Sequence, residues 1–283
     1  MEKIKKVLVL GSSGMLGHVM VNILESYNTF DVHNLSRKRK INNKSIICDI
    51  INFKKLEDHI NLISPDYIIN CIGVLIKKSQ TDIKSAILIN SYLPHYLESI
   101  SNKLNFRLIH ISSDCVFSGI EGNYNEKSKI DPIDTYGLTK SLGEIVNNNH
   151  LTIRTSIIGP ELKRDGEGLL SWIFKNERGN IQGYEKSIWS GLTTIELSKS
   201  IIYCIENNLT GLLHVFKNPI SKYELVKLIN NEFELEIQIK KVPGKTSDKS
   251  LSTLRNDFNY EIPSYSKMIS EMHDFIKASN NQI

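Results

Sequence analysis

A short strand-like run, Lys6-Val7-Leu8-Val9-Leu10, passes directly into Gly11-Ser12-Ser13-Gly14-Met15-Leu16-Gly17. An apolar helical pattern follows through Val19, Val21, Ile23 and Leu24. Strand, glycine turn and helix in immediate succession are what a dinucleotide-binding loop needs. Gly11 permits the tight turn, Gly14 lets the backbone approach a pyrophosphate, and Gly17 lets the helix pack close to the strand. The helix N-terminus then offers free N–H groups and a partial positive charge to the anion. The spacing is GxxGxxG, not GxGxxG. A turn that merely caps a helix would use the same glycines, but the strand in front and the helix behind favour the dinucleotide reading.

The pattern continues in the same alternation. Asp31 to Ser36 reads as a second strand. An acidic residue at its end would take the 2′-hydroxyl of NAD. Ser36-Arg37 stands there instead, with Lys38, Arg39 and Lys40 behind it. A cation at that place suits a 2′-phosphate, which favours NADP(H) over NAD(H); a solvated basic turn is the competing account. Ser45 to Cys48 is a third strand ending at Asp49, a candidate adenine contact. Phe53 to Ile63 is helical in pattern. Tyr67 to Ile72 is apolar enough for a parallel strand covered on both faces, and Gly73 follows where open α/β sheets bind ligands. Ile83 to Leu104 reads as one long helix, on which periodicity alone makes Asn90 a surface residue.

The stretch from Arg107 to Glu144 carries the chemistry. Ser112-Ser113-Asp114 ends a β-rich run, and Tyr136 and Lys140 stand four apart, one helical turn from each other. A phenol titrates near pH 10, and a fixed ammonium beside it pulls that value down. A hydroxyl from Ser113 within reach could hold the same substrate oxygen. Such a set suits carbonyl–alcohol interconversion, although Tyr and Lys at this spacing are also common on a solvated helix face. Leu151 to Thr155 is a sixth strand. Strands alternating with helices predict an α/β fold, a Rossmann-type doubly wound parallel sheet.

Past Ile157 the pattern loosens into turn-rich polar segments, with capping boxes at Thr193 to Glu196 and Ser221 to Glu224. Residues 1–156 are expected to form the nucleotide-binding half, which also receives the helix and strand of about 191–216. Residues 157–283 are expected to form mainly a smaller irregular substrate-binding lobe. The formal charge of +4 over 283 residues is too small and too scattered for a nucleic-acid partner. No apolar run is long enough to span a bilayer, and the start shows no signal-peptide pattern, so a cytoplasmic location is expected. Cys48, Cys71, Cys115 and Cys204 lie singly in apolar contexts, which predicts buried free thiols and no metal site.

These motifs resemble the extended short-chain dehydrogenases/reductases, and in particular the dTDP-4-dehydrorhamnose reductase branch. ISSDCVFSG, YNE, DP and YGLTKSLGE resemble the branch's ISTDYVFxG, YxE, P and YGx(S/T)KxxGE; the asparagine of PDYIINC and the RTS after the sixth strand also fit. The resemblance implies that Tyr136 is the general acid, that Lys140 tunes it and holds the nicotinamide ribose, and that Ser113 keeps the hydroxyl of the branch's Thr. It implies that Gly11, Ser12, Ser13, Gly14, Met15 and Leu16 hold the pyrophosphate and that Asp49 and Ile50 flank the adenine. Cys71, Ile72 and Gly73 would line the ribose and nicotinamide side, and Asn90 would take a proton-relay or cofactor-side role. Two departures lie on the substrate side: Cys115 replaces the Tyr of TDYVF, and Ile157 stands where the branch carries Trp. They leave the identity of the sugar open.

The expected activity is NADP(H)-dependent reduction of the 4-keto group of a nucleotide-activated 6-deoxy sugar, as in dTDP-rhamnose and polysaccharide precursor synthesis. An epimerase on the same scaffold and a non-catalytic NADP-binding regulatory subunit are the alternatives; a homodimer is compatible with all three. Asp114, Cys115, Ile157, Trp189 and Arg255 are candidate substrate contacts, with Lys163 and Arg164 considered for the pyrophosphate or base.

Overall fold

The computed structural model describes residues 3–163 and 166–280. Strand β1 (Lys5–Leu10) lies inside the sheet, paired in parallel with β2 (Phe30–Ser36) on one side and β4 (Tyr67–Asn70) on the other. Strand β3 (Ser45–Ile47) extends the sheet beyond β2. On the other side β5 (Arg107–Ile111), β6 (Leu151–Arg154) and the strand Gly211–His214 follow in order, all parallel. The chain reverses its direction of travel across the sheet between β1 and β4, and such a switch point opens a crevice at the strands' C-terminal ends.

Alternation along the strands explains the two helical layers. Val7, Val9, Ile69, Ile109 and Ile153 pack on one face with α1 (Met15–Glu25) and the helix Thr194–Glu206, through Leu16, Met20, Leu24, Leu197 and Ile201. Leu8, Leu10, Ile68 and Leu108 turn to the other face, against α2 (Phe53–Ile63) and the helix Leu93–Leu104, through Leu56, Ile60, Leu93 and Leu97. A sheet covered on both faces needs apolar residues at successive positions, which is why β1 and β4 read as unbroken runs. A further core, with Ile158, Ile173, Leu225, Ile229 and Met272, gathers segments after β6 against Val19 of α1.

Several local expectations are adjusted by the structure. Strand β4 stops at Asn70, and a short helix, Ile76–Thr81, follows. The helix expected from Ile83 to Leu104 is interrupted by a π-helical segment, Ile87–Tyr92. The wider turn brings Asn90 inward, where it is fully buried, so the surface position expected from the helical period does not hold. Gln238–Val242 forms a strand paired in parallel with Asn180–Tyr184. Cys48 and Cys204 are buried as expected, whereas Cys71 and Cys115 sit on loops past the strand ends and keep part of their surface. No helix among the described residues is long and apolar enough to cross a membrane.

Both capping boxes form on the hydroxyl side: Thr193 accepts from the Glu196 N–H at 3.3 Å and Ser221 from the Glu224 N–H at 3.1 Å. Glu196 does not complete its box. It is 1% exposed, neither carboxylate oxygen is within hydrogen-bond geometry of a donor, and Lys199 Nζ stands 4.0 Å from Oε2. Burial raises its carboxyl above the ordinary range, against the opposing pull of Tyr260 and Lys199. A raised pKa means that the folded state binds the proton more tightly than the unfolded chain. Stability is therefore full at low pH and is lost as pH rises through the folded value. Glu196→Gln should raise the melting temperature by about 2–4 °C at pH 8 and much less at pH 5. An equal gain at both would show that ionisation of Glu196 is not the cause.

Candidate active site

The helix Thr135–Leu142 is set down beside the end of β5 by two local features. Asp134 caps it, accepting from the Gly137 N–H at 2.7 Å. Gly137 itself lies against the Cys115 carbonyl, where any Cβ would overlap the backbone. This close approach brings Tyr136 to the turn that carries Ser113. Gly137→Ala should push the helix away from Cys115 and lower turnover by about 100-fold or more. Measuring kcat beside reduced-cofactor affinity checks this; an unchanged kcat would show that the helix position is not needed.

Ser113, Asp114 and Cys115 form the tight turn after β5. The Ser113 hydroxyl accepts from the Cys115 N–H at 3.1 Å and donates to Asp114 Oδ1 at 3.2 Å. The Tyr136 ring is partly exposed, but its oxygen sits among protein atoms. That burial pushes the phenol well above its ordinary value; Cys115, Asp114 and Asp134 push the same way, and the Ser113 hydroxyl opposes them. Burial likewise raises the Asp114 carboxyl, against the pull of Lys249, and lifts the Cys115 thiol to about 12. The helical spacing led us to expect an ammonium lowering the Tyr136 pKa. Lys140 Nζ donates to the Ile111 carbonyl at 2.6 Å and lies 3.4 Å from His110 Nε2. Burial pulls Lys140 down to about 8, with Glu144 and Cys71 opposing.

The glycine loop sits directly above. Gly11 has φ +81°, and Gly17 lies so close to the Gly11 carbonyl that only hydrogen fits there. Helix α1 opens at Gly14 without a side-chain cap, so its first N–H groups remain available to an anion. Ser13, Gly14 and Met15 keep exposed surface, whereas Ser12 is fully buried and its hydroxyl has no partner. The Gly11 and Ser12 N–H groups bond the Leu35 carbonyl at 2.8 and 3.1 Å, which places the end of β2 beside the loop. Arg37 is exposed there, while Ser36 is buried with its hydroxyl on the Arg39 carbonyl. Asp49 is exposed and Ile50 buried at the end of β3. An uncapped helix N-terminus, a tight glycine turn and an exposed cation, Arg37, just past the neighbouring strand fit a dinucleotide phosphate.

Asn90 staples the floor of this crevice. Its Oδ1 accepts from the Val74 N–H at 2.8 Å, and its Nδ2 donates to the Val74 carbonyl and the Thr139 hydroxyl, both at 3.0 Å. It thus joins the Cys71-Ile72-Gly73 loop to the Tyr136 helix, and its amide is fully engaged in holding them.

Other residues at the site, among them the Glu of YGLTKSLGE and the Arg of RTS, take partners that no local pattern announces. Glu144 and Arg154 form a buried bidentate pair, both contacts 2.7 Å, with side chains 4% and 2% exposed. Glu144 also accepts from Ser112 at 2.6 Å, and Arg154 lies over the Phe117 ring. The pair ties the end of the Tyr136 helix to β5 and β6. Lys249 is brought in from the far end of the chain. Its segment docks on the loop after β5, with the Asp248 N–H donating to the Gly119 carbonyl at 2.7 Å and the Tyr124 N–H to the Ser250 carbonyl at 2.9 Å. The alternation of β5 points His110 to the same face as Leu108, and that is the one clue the sequence offers to its meeting Lys140.

Some proposed substrate contacts are used elsewhere. Trp189 is 7% exposed and packs among Ile173, Leu225 and Ile229, its ring 5.7 Å from that of Tyr265. Arg255 clasps the sheet edge: it donates to the Thr210 and Leu212 carbonyls at 2.6 and 3.1 Å and pairs with Asp257. Open strand edges need such cover, which leaves its guanidinium committed. Ile157 is half-buried and packs against the sheet core. Lys163 is exposed, and Arg164 lies outside the described residues.

A parallel sheet with this switch point, a glycine loop at its crevice and a Ser/Tyr/Lys set beside it define an NAD(P)-dependent oxidoreductase of the extended short-chain type. The model of the RmlD substrate binding domain family matches residues 5–273, and the chain belongs to that family. The spore coat polysaccharide biosynthesis protein SpsK of Bacillus subtilis is 26% identical over 244 residues, 83% of this chain and 81% of the relative. The crystal structure of a hypothetical dTDP-4-dehydrorhamnose reductase from Sulfolobus tokodaii is 28% identical, with a TM-score of 0.76, covering 87% of this chain and 91% of that one. Methionine adenosyltransferase 2 subunit beta of Mus musculus is 22% identical over 82% of this chain and 73% of its own length.

Proposed function

We propose that this protein reduces the 4-keto group of a nucleotide-activated 6-deoxy sugar with NADPH, for surface polysaccharide synthesis. The observation that carries the reading is the pair of hydroxyls, Tyr136 and Ser113, brought together at the C-terminal edge of the sheet beside the glycine loop. When bound, a nicotinamide cofactor supplies the hydride. Tyr136 supplies the proton: a phenol held well above its ordinary pKa stays protonated at neutral pH and can donate to the oxygen as charge develops there. Ser113 hydrogen-bonds the same oxygen. Arg37, exposed beside the loop, supports a 2′-phosphate and hence NADP. Residues 1–156 act as the cofactor half and the later residues mainly as the sugar-nucleotide lobe, with Asp114, Cys115 and Lys249 on its inner side.

The assay follows loss of reduced nicotinamide with dTDP-4-keto-6-deoxyglucose, with and without the matching 3,5-epimerase. Loss only with the epimerase identifies a rhamnose-type reductase, and loss without it a reductase of the unepimerised sugar. Tight cofactor binding without turnover on dTDP-, UDP- or GDP-linked keto sugars would reject the reading. It would favour a binding subunit, for which the relative named as an adenosyltransferase subunit is the supporting observation. Exposed Ile83, Ile87, Leu138 and Leu142 on neighbouring helices support a homodimer; a monomeric mass by light scattering would exclude it.

A further inference from the structure

The link between β2 and β3 is shorter than the geometry of a parallel pair favours. Ser45 starts level with Asn34, so the chain leaves β2 at Ser36 and must retrace about 7 Å before it enters β3. Parallel neighbours are usually joined by about a dozen residues or more, with a helix among them. Residues 37–44 make this return without a helix. They open with consecutive cations, Arg37 to Lys40, whose mutual repulsion would spread such a link.

Side chains hold it together. The Ser36 hydroxyl donates to the Arg39 carbonyl. Ser45 Oγ accepts from the Ile41 and Asn42 N–H groups at 3.0 and 3.1 Å. Asn42 is tied on two sides. Its Nδ2 donates to Glu25 Oε1, at the end of α1, at 2.7 Å, and its Oδ1 accepts from Asn34 Nδ2 at 2.9 Å. Asn34 is fully buried inside β2.

The orientation of the Asn34 amide is set by its partner. Asn42 Oδ1 also accepts from the Lys44 N–H at 3.1 Å. It must therefore be an oxygen, and the Asn34 group facing it must be the NH2. That leaves Asn34 Oδ1 buried with no partner. An unpaired buried acceptor costs stability, so an apolar side chain of the same shape would serve the fold as well. What the amide does is draw the middle of the link onto the sheet and fix Arg37 at its top. That end lies beside the glycine loop, because the Gly11 and Ser12 N–H groups bond the Leu35 carbonyl. Arg39 is engaged elsewhere, its guanidinium donating to the Leu162 carbonyl at 2.9 Å.

We propose that Asn34 is a positioning residue for cofactor choice: through Asn42 it holds the basic link in the shape that presents Arg37 to a 2′-phosphate, at a cost to the stability of its own strand. The role rests on the reading of Arg37 as the 2′-phosphate contact.

The test titrates the full chain with NADPH and with NADH, which differ only in that phosphate, by fluorescence and beside thermal melting. Asn34→Leu keeps the number of side-chain heavy atoms and removes both polar ends. It should weaken NADPH about tenfold, leave NADH within about twofold, and leave the melting temperature unchanged or higher. Asn42→Ala cuts the same contact from the half-buried side and should shift the preference in the same direction. Arg37→Gln should also weaken NADPH alone, and adding Asn34→Leu to it should cost little more, because Asn34 acts through Arg37. A folded Asn34→Leu that keeps the wild-type preference overturns the proposal. So does an equal loss of both cofactors with a lowered melting temperature, which is how a merely structural residue would behave. A wild type that binds the two cofactors equally rejects Arg37 as the 2′-phosphate contact and the role of Asn34 with it. A wild type that prefers NADPH, with a preference that survives in Asn34→Leu and Asn42→Ala, rejects the role of Asn34 alone.

Discussion

Replacing Tyr136 with Phe should lower kcat by about three orders of magnitude, within the range for losing a positioned general acid, while NADPH binding stays within a few-fold of wild type. The ring stays in place because the helix is set by Asp134 and Gly137 and not by the phenol: Asp134 caps it at 2.7 Å, and Gly137 seats it on Cys115. Only the proton is lost. Ser113→Ala should be milder, because it removes one hydrogen bond to the reacting oxygen and leaves the acid. Cofactor titration by fluorescence beside single-turnover kinetics separates the two effects. Equal loss of binding and turnover in Tyr136→Phe would mean that the residue holds the cofactor and does not deliver a proton.

The second large effect is on stability. Arg154→Met should destabilise the fold by about 3–5 kcal/mol, the usual cost of stranding a buried charge. The guanidinium meets both Glu144 oxygens, and removing it leaves a carboxylate that is 4% exposed with the Ser112 hydroxyl as its nearest support. Glu144→Met strands Arg154 in turn, with His214 Nε2 3.3 Å away as a poor substitute. The double substitution Glu144→Met/Arg154→Met strands neither charge and should cost well under the sum of the singles. Urea unfolding of the four proteins reads this directly. Additive losses would show that the two residues contribute independently and that the pair is not a unit. Because Ser112 precedes Ser113, the single substitutions should also lower kcat in whatever fraction remains folded.

The sites of these effects differ in how far they could be seen beforehand. Tyr136 and Lys140 stand out because a helix places residues four apart on one face, and the glycine loop stands out because its turn, its phosphate approach and its packing each demand glycine within seven residues. The bounds of α2, both capping hydroxyls and the parallel sheet were legible for the same reason: each depends on neighbours in sequence or on a short period. What Lys140 does with its ammonium was not legible. Spacing brings it near Tyr136, but the Ile111 carbonyl and His110 compete for it, and they come from a strand about thirty residues earlier.

Asn90 shows the limit most plainly. Helical periodicity put it on the surface, and a π-helical turn, which no local pattern announces, put it inside. Trp189 and Arg255 show the converse: residue types suited to a nucleotide were taken by an apolar core and by an open strand edge. By itself, then, the sequence determined the doubly wound sheet, the glycine loop and the Ser113/Tyr136/Lys140 set, because turn chemistry and side-chain period act over a few residues. The tertiary structure decided which buried polar groups face one another: Glu144 with Arg154, Asn90 with Val74 and Thr139, His110 with Lys140. Those pairings depend on which helix covers which strand. Their energies come from excluding water around partners far apart in the chain, a condition that no window of sequence contains.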